Sequence, residues 1–226
     1  MPASRAPLIL FSGIDGGGKS TQIERLTSVL RERWGEPVVF WSRGGYTPGF
    51  ERLKRGLRRG TGSTIMPPAG RSAERSRSLR RPWIRRAWLA LAVLDLLWWY
   101  GVRVRGWRRR GRAVILDRYW QDTAIDFRLN FPDEAVEGRW GWRLLRRVAP
   151  RPDHAFLIRI PVNESLRRSK LKDEPFPDDE ATLARRLRDY DAFAEEGLYT
   201  VIDGMQSIDD VAAAIREAVL RNEASS

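Results

Sequence analysis

Cysteine is absent from this 226-residue chain, and histidine occurs once, at His154. The first absence excludes disulfides, thiol catalysis and any Cys-ligated zinc or iron–sulfur site. The second excludes a His-cluster metal site and leaves a Ser–His triad without support. At the start of an apolar run, His154 reads as structural. Any metal is expected to be a hard cation held by oxygen, such as Mg²⁺. Lysine is scarce: Lys19, Lys54, Lys170 and Lys172 are the only four among 41 cationic residues, and the net charge is +12. An arginine-rich balance fits polyanionic partners such as nucleotides, nucleic acid or an anionic membrane face, or else a solvated surface. No aromatic-stacking motif or recognition fold stands behind nucleic-acid binding. Long apolar runs are also scarce. From Ala87 to Val102 only Asp95 is charged, but this run is short of the roughly 20 residues a spanning helix needs. An aspartate near its centre costs about 3 kcal/mol on insertion. The opening residues lack a secretory pattern, so a soluble cytoplasmic protein is expected.

The pattern along the chain predicts an α/β fold in one domain, 1–226. Such a length buries roughly 70% of the unfolded surface. Leu8 to Phe11, Val38 to Trp41, Arg112 to Asp117, Ala155 to Ile160 and Tyr199 to Asp203 read as short apolar strands. Helical spacing follows at Lys19 to Arg33, with Ile23, Leu26 and Leu30 on one face. It returns at Ile208 to Arg221, with Val211, Ile215 and Val219 inward. Buried strands separated by helices indicate a parallel sheet covered on both faces. Residues 58–86, rich in Gly, Pro, Arg and Ser, are expected to form a mobile basic loop.

The strongest motif is Gly13-Ile14-Asp15-Gly16-Gly17-Gly18-Lys19-Ser20, which matches G-x-x-x-x-G-K-[ST] between a strand and a helix. Its glycines let successive backbone N–H groups wrap a phosphate without Cβ clashes. The following helix adds positive potential at its N-terminus. Lys19 is placed to meet the β- and γ-phosphates, and the Ser20 hydroxyl to ligate Mg²⁺. Asp117 ends an apolar strand, where open α/β sheets bind ligands, and is a natural partner for hydrated Mg²⁺. Arg118 follows, with a guanidinium suited to clamping a phosphate.

These residues resemble the thymidylate kinase family of P-loop kinases. The resemblance runs over nearly the whole chain. It is carried by Phe11 to Gln22, by Arg43-Gly-Gly-Tyr-Thr-Pro48 and by Asp117-Arg118-Tyr119. It implies a three-layer α/β/α fold around a five-stranded parallel sheet of order 2-3-1-4-5. The implied reaction moves the γ-phosphoryl of ATP to a monophosphate, with Mg²⁺. By position, Asp15 faces the acceptor sugar, and Arg43, Arg118 and Tyr119 belong to the acceptor side. Gly16, Gly17, Gly18, Lys19, Ser20 and Thr21 hold the donor phosphates. A lid over about 167–180 carries Arg167 beside the donor and Arg168, Lys170 and Lys172 as catalytic cations. Gly17 stands where some family members carry an arginine, which agrees with a basic lid. The mechanism is positioning and charge neutralisation, with no covalent enzyme intermediate. Departures fall on the acceptor side. The family's thymine-stacking aromatic aligns with Ala92, and its next phosphate-binding arginine with Leu96. An altered acceptor pocket is therefore expected, since a site that loses such partners rejects the old substrate. Alternatives are a non-nucleotide acceptor, such as a sugar or lipid-linked precursor at a membrane, and a non-catalytic nucleotide-binding module.

The tryptophan-rich run, with Trp83, Trp88, Trp98, Trp99 and Trp107 in or beside it, needs cover on two faces. The resemblance implies a homodimer through the 83–104 helix. Peripheral contact with an anionic membrane, at the inner face, is the alternative. Asp95 inside this run either points into the acceptor pocket or is satisfied by a nearby backbone group or arginine. The acidic residues Asp173 to Glu180 read as a solvated loop opening a helix at Ala181. Arg185, Arg186 and Arg188 read as a mixed solvent face.

Overall fold

Strands form where β-branched and other apolar residues run for four to six positions between turn residues, and the first of them is buried on both faces. A computed structural model describes residues 5–42, 81–172 and 178–221. The strands are β1 (Leu8–Ser12), β2 (Val38–Trp41), β3 (Val114–Asp117), β4 (His154–Arg159) and β5 (Thr200–Asp203). They form one parallel sheet in the order β2-β3-β1-β4-β5, which is the predicted order. Alternate side chains of β1 leave in opposite directions. Leu8 and Leu10 enter one core; Ile9 and Phe11 enter the other. Each of these four is fully buried, a gain of about 1.5–3 kcal/mol apiece.

Helices cover both faces. Helix α1 (Lys19–Trp34) contributes Ile23, Leu26 and Leu30 to the core that holds Ile9 and Phe11. The closing helix, Ile208–Arg221, adds Val211, Ile215 and Val219 to that core. On the opposite face lie α2 (Pro82–Trp98), α3 (Arg105–Arg109), α4 (Trp120–Asn130), α5 (Trp140–Val148), α6 (Val162–Leu171) and α7 (Glu180–Glu195). The closing helix is α8.

Several expectations change. Pro82 occupies the first helical turn, where a missing N–H costs nothing. Residues 82–86 are therefore helical rather than loop; 58–80 lie outside the described residues. The apolar run does not end in a simple helix. It passes through a π-helical turn, Trp99–Val104, into α3. The whole helix Pro82–Arg109 has 28 residues and is long and apolar enough to cross a membrane by length and composition. Its inward stripe, Trp88, Ala92, Leu96 and Tyr100, packs in the same core as Leu8, Phe40 and Leu116 of the sheet. The opposite stripe stays exposed, with Trp83 at 58%, Leu94 at 54% and Trp98 at 57%. Asp178 is not part of a solvated loop: its side chain is buried against Arg186. Asp179 caps α7 by accepting from Thr182 N at 2.7 Å. Arg186 is itself buried, not on a solvent face.

Candidate active site

Residues 13–18 connect β1 to α1 by folding over the carboxyl end of the sheet. Gly13, Gly16 and Gly18 have φ of 138°, 77° and 92°. A Cβ on Gly13 would lie 2.5 Å from the Ile158 carbonyl oxygen, so the turn admits only glycine there. Helix α1 starts without a side-chain cap and without an acid in its first turn. Its first N–H groups are thus left for an anion, at the positive end of the helix dipole. Ser20 and Thr21 are exposed in that turn. Lys19 is buried, and its Nζ donates to the carbonyls of Gly13 and Ile14 at 2.8 and 2.9 Å. Burial lowers its pKa to about 8; Arg118 adds to the lowering, against the opposite pull of Asp15, Asp117 and Asp122.

Register brings the second half of the site alongside. Phe11 pairs with Asp117, which sets the end of β3 beside the start of the phosphate loop. Asp117 Oδ1 is buried and has no hydrogen-bond partner among the described residues. Burial raises its pKa, although Lys19 and Arg118 pull the other way. A buried carboxylate oxygen left open, with an exposed Ser20 hydroxyl at the same loop, fits a hydrated Mg²⁺. Among the described residues no group of three or more acidic or His ligands forms a metal cage. Water and phosphate oxygens are then the remaining ligands, as this ion prefers.

Arg118 takes φ of 74°, an uncommon conformation for a side-chain-bearing residue. Two bonds hold its backbone, Arg118 N donating to Phe11 O at 2.9 Å and Ser42 Oγ donating to Arg118 O at 2.8 Å, and Ser42 N donates to the preceding carbonyl, Asp117 O, at 3.1 Å. The bend turns the guanidinium to the phosphate loop, where Nη2 donates to Asp15 Oδ1 at 2.5 Å. Burial opposes its charge, but Tyr190, Asp15, Asp122 and Asp126 hold it protonated above its ordinary range.

Helix α6 closes the other side. Ser165 Oγ donates to Asp15 O at 2.6 Å. Arg168 donates from Nη1 to Gly16 O and from Nη2 to Gly204 O, both at 3.2 Å, while its Nε donates to Glu164 at 2.6 Å. One guanidinium thus ties the loop to α6 and to the turn after β5. Of the four cations expected in a lid, Arg168 is the one bonded to the loop. Arg167 pairs with Glu164 on the exposed side of α6. Lys170 and Lys172 are exposed near the C-terminal end of α6. That segment is helical through Leu171, and 173–177 lie outside the described residues.

The structure therefore brings together Asp15, Gly16, Gly17, Gly18, Lys19, Ser20, Asp117, Arg118 and Arg168. Arg43 lies outside the described residues. Tyr119 is in the core instead: its ring is buried beside Tyr100, and its hydroxyl donates to Pro150 O at 2.7 Å. Asp95 is half-buried on α2, near enough to the Tyr100 hydroxyl to raise its pKa further after burial has done most of the raising. Sequence reasoning missed Asp122, which lies fully buried behind Arg118, and Asp126, which pairs with Arg186 at 2.7 Å. A signal for the first exists: an acid three residues after Tyr119 has capping-box spacing for a helix start.

A glycine-lined phosphate loop, an uncapped helix start, a buried lysine and a strand-end carboxylate define the P-loop class of nucleotide-binding proteins. Comparison with known proteins narrows the class. The thymidylate kinase family profile matches residues 106–215. A thymidylate kinase of Ruegeria pomeroyi is 30% identical over 220 residues, covering 94% of this chain and 93% of that protein. A probable thymidylate kinase of Sulfurisphaera tokodaii is 25% identical over 206 residues, covering 90% of each. The crystal structure of thymidylate kinase from Ehrlichia chaffeensis shares the fold, with a TM-score of 0.57 at 17% identity over 95% of this chain and 98% of that one. The chain belongs to the thymidylate kinase family.

Proposed function

We propose that this protein transfers the γ-phosphoryl group of ATP to a nucleoside monophosphate, with Mg²⁺, through an acceptor pocket altered from the family pattern. The observation that carries the reading is Arg118, a buried guanidinium aimed back at Asp15 of the phosphate loop. This position beside the phosphate loop supports reading Arg118 as the acceptor-phosphate ligand next to the donor-phosphate cradle. The loop amides of Gly16, Gly17 and Gly18 and the α1 start receive the donor phosphates, with Thr21 alongside. Lys19 leaves the carbonyls of Gly13 and Ile14 to meet the β- and γ-oxygens. Ser20 and Asp117 would hold Mg²⁺, which when bound neutralises charge on those oxygens. Arg118 exchanges Asp15 for the acceptor phosphate, and Arg168 braces the loop from the α6 side. The protein thus contributes orientation and charge, as in-line phosphoryl transfer requires.

Support for the altered pocket comes from Ala92 and Leu96. Both are fully buried and apolar, at the two positions that align with the family's aromatic and arginine. The test incubates the protein and Lys19→Ala with Mg-ATP and a panel of nucleoside monophosphates, thymidylate included. Turnover of at least one monophosphate that Lys19→Ala abolishes is expected. Robust turnover of thymidylate would refute the altered pocket, and no turnover of any would refute the nucleoside monophosphate kinase reading.

The exposed stripe Trp83, Leu94 and Trp98 supports a homodimer through α2, because an apolar helix face of this kind needs cover. Leu94→Arg is expected to convert a dimer mass to a monomer mass in light scattering. A monomeric parent that floats with anionic liposomes would replace the dimer by a membrane surface.

A further inference from the structure

The reaction leaves several buried acids unused, and one of them stands directly behind Arg118. Asp122, on α4, has a side chain 1% exposed. Its Oδ2 accepts from Ser12 Oγ at 2.7 Å and from Tyr119 N at 2.8 Å; its Oδ1 accepts from Tyr190 OH at 2.6 Å. Tyr199 OH donates in turn to Ser12 Oγ at 3.1 Å. One carboxylate therefore joins the last residue of β1, the start of α4 and the middle of α7. Burial holds the Tyr190 and Tyr199 hydroxyls well above the usual phenol range, so both remain donors. The Arg118 Nη1 lies 3.8 Å from Asp122 Oδ1, an ion pair without a direct hydrogen bond.

We propose that Asp122 is a positioning residue for Arg118, fixing it at both ends. At the backbone end, it anchors the N–H of Tyr119, the peptide that leaves the left-handed turn at Arg118. At the side-chain end, it gives the guanidinium a counter-charge on the interior side. The cleft-side partner differs in kind. Asp15 stands on the phosphate loop with its side chain 40% exposed, so an incoming phosphate displaces it. Asp122 is enclosed and already satisfied by three donors, so it stays. The arginine then exchanges one anion for another on the cleft side while the interior side is constant. This assignment rests on the reading of Arg118 as the acceptor-phosphate ligand.

The test is a double-mutant cycle on the full chain, with the monophosphate of the panel that is turned over best. Asp122→Asn keeps the shape and removes the charge. It is expected to lower kcat/KM for the acceptor about tenfold, equivalent to about 1.4 kcal/mol, with KM for ATP held within about twofold. In an Arg118→Met background the same change is expected to cost nothing further. Thermal melting checks that each variant is folded, and Asp122→Ser, smaller and also uncharged, serves if the asparagine form does not fold. An equal loss in both backgrounds would show a merely structural role and overturn the inference alone. A gain in acceptor kcat/KM would show that Asp122 only screens Arg118, and would also overturn it. If Arg118→Met itself leaves acceptor kcat/KM unchanged, or no monophosphate is turned over, the functional reading fails instead.

Discussion

Raising the pH from 7 to 9 perturbs one group at the heart of the phosphate loop. Lys19 of the free protein titrates at about 8 because it is buried, with Arg118 nearby. Bound between phosphate oxygens it returns toward the ordinary lysine value, because an opposite charge at contact favours the charged form. At pH 7 nearly every free molecule carries the proton, and at pH 9 only about one in eleven does. ATP affinity is therefore expected to fall about tenfold between pH 7 and pH 9, or about 1.4 kcal/mol. Binding at pH 9 is expected to take up about 0.9 proton per site, against about 0.1 at pH 7. The nucleotide contributes little to this change, since its last ionisation, near 6 for a phosphate ester, is complete above pH 7. Titration calorimetry in two buffers of different ionisation enthalpy reads both quantities. A flat affinity with no proton uptake at pH 9 would refute the reasoning. The free protein has a matching dependence on stability. Its folded Lys19 lies below the unfolded value of 10.5, so the unfolded chain holds the proton longer. Stability is expected to rise as the pH goes from about 8 toward 10.5, and this group gives no gain below 8.

Two further outcomes follow from packing. Gly13→Ala sets a Cβ against the Ile158 carbonyl oxygen at a backbone angle hostile to side chains. It is expected to cost about 2–4 kcal/mol in chemical denaturation, and a loss under about 1 kcal/mol would contradict the close approach. Glu134 has a side chain 2% exposed and is held by Arg85, Arg86 and Arg139. Glu134→Ala is expected to cost about 2 kcal/mol, less than a fully buried pair, because Arg86 and Arg139 keep contact with water. Unchanged stability would show that the three arginines need no common anion.

The strands were legible because each is a short apolar run between turn residues, their order only through the family resemblance, and the phosphate loop because its chemistry is local. Consecutive residues from Gly13 to Ser20 supply everything a phosphate cradle needs, so spacing alone locates it. Asp117 and Arg118 were legible for the same reason, standing at the end of an apolar strand. The extent of the apolar helix was less so. It continues through a π-helical turn at Trp99–Val104 into Arg109, and composition carries no trace of that turn.

By itself, the chain's order of residues determined the α/β sheet, the loop, and the acid and base flanking it. What the tertiary structure decided was which side chains meet across distance. Tyr119, adjacent to Arg118 in sequence, turns into the core, while Tyr190, 71 positions later in the sequence, reaches the carboxylate behind that arginine. Arg168 bonds the loop, and its neighbour Arg167 does not. The reason is physical: local patterns fix dihedrals and which face is buried, but long-range partners are set by where separately folded helices come to rest on the sheet.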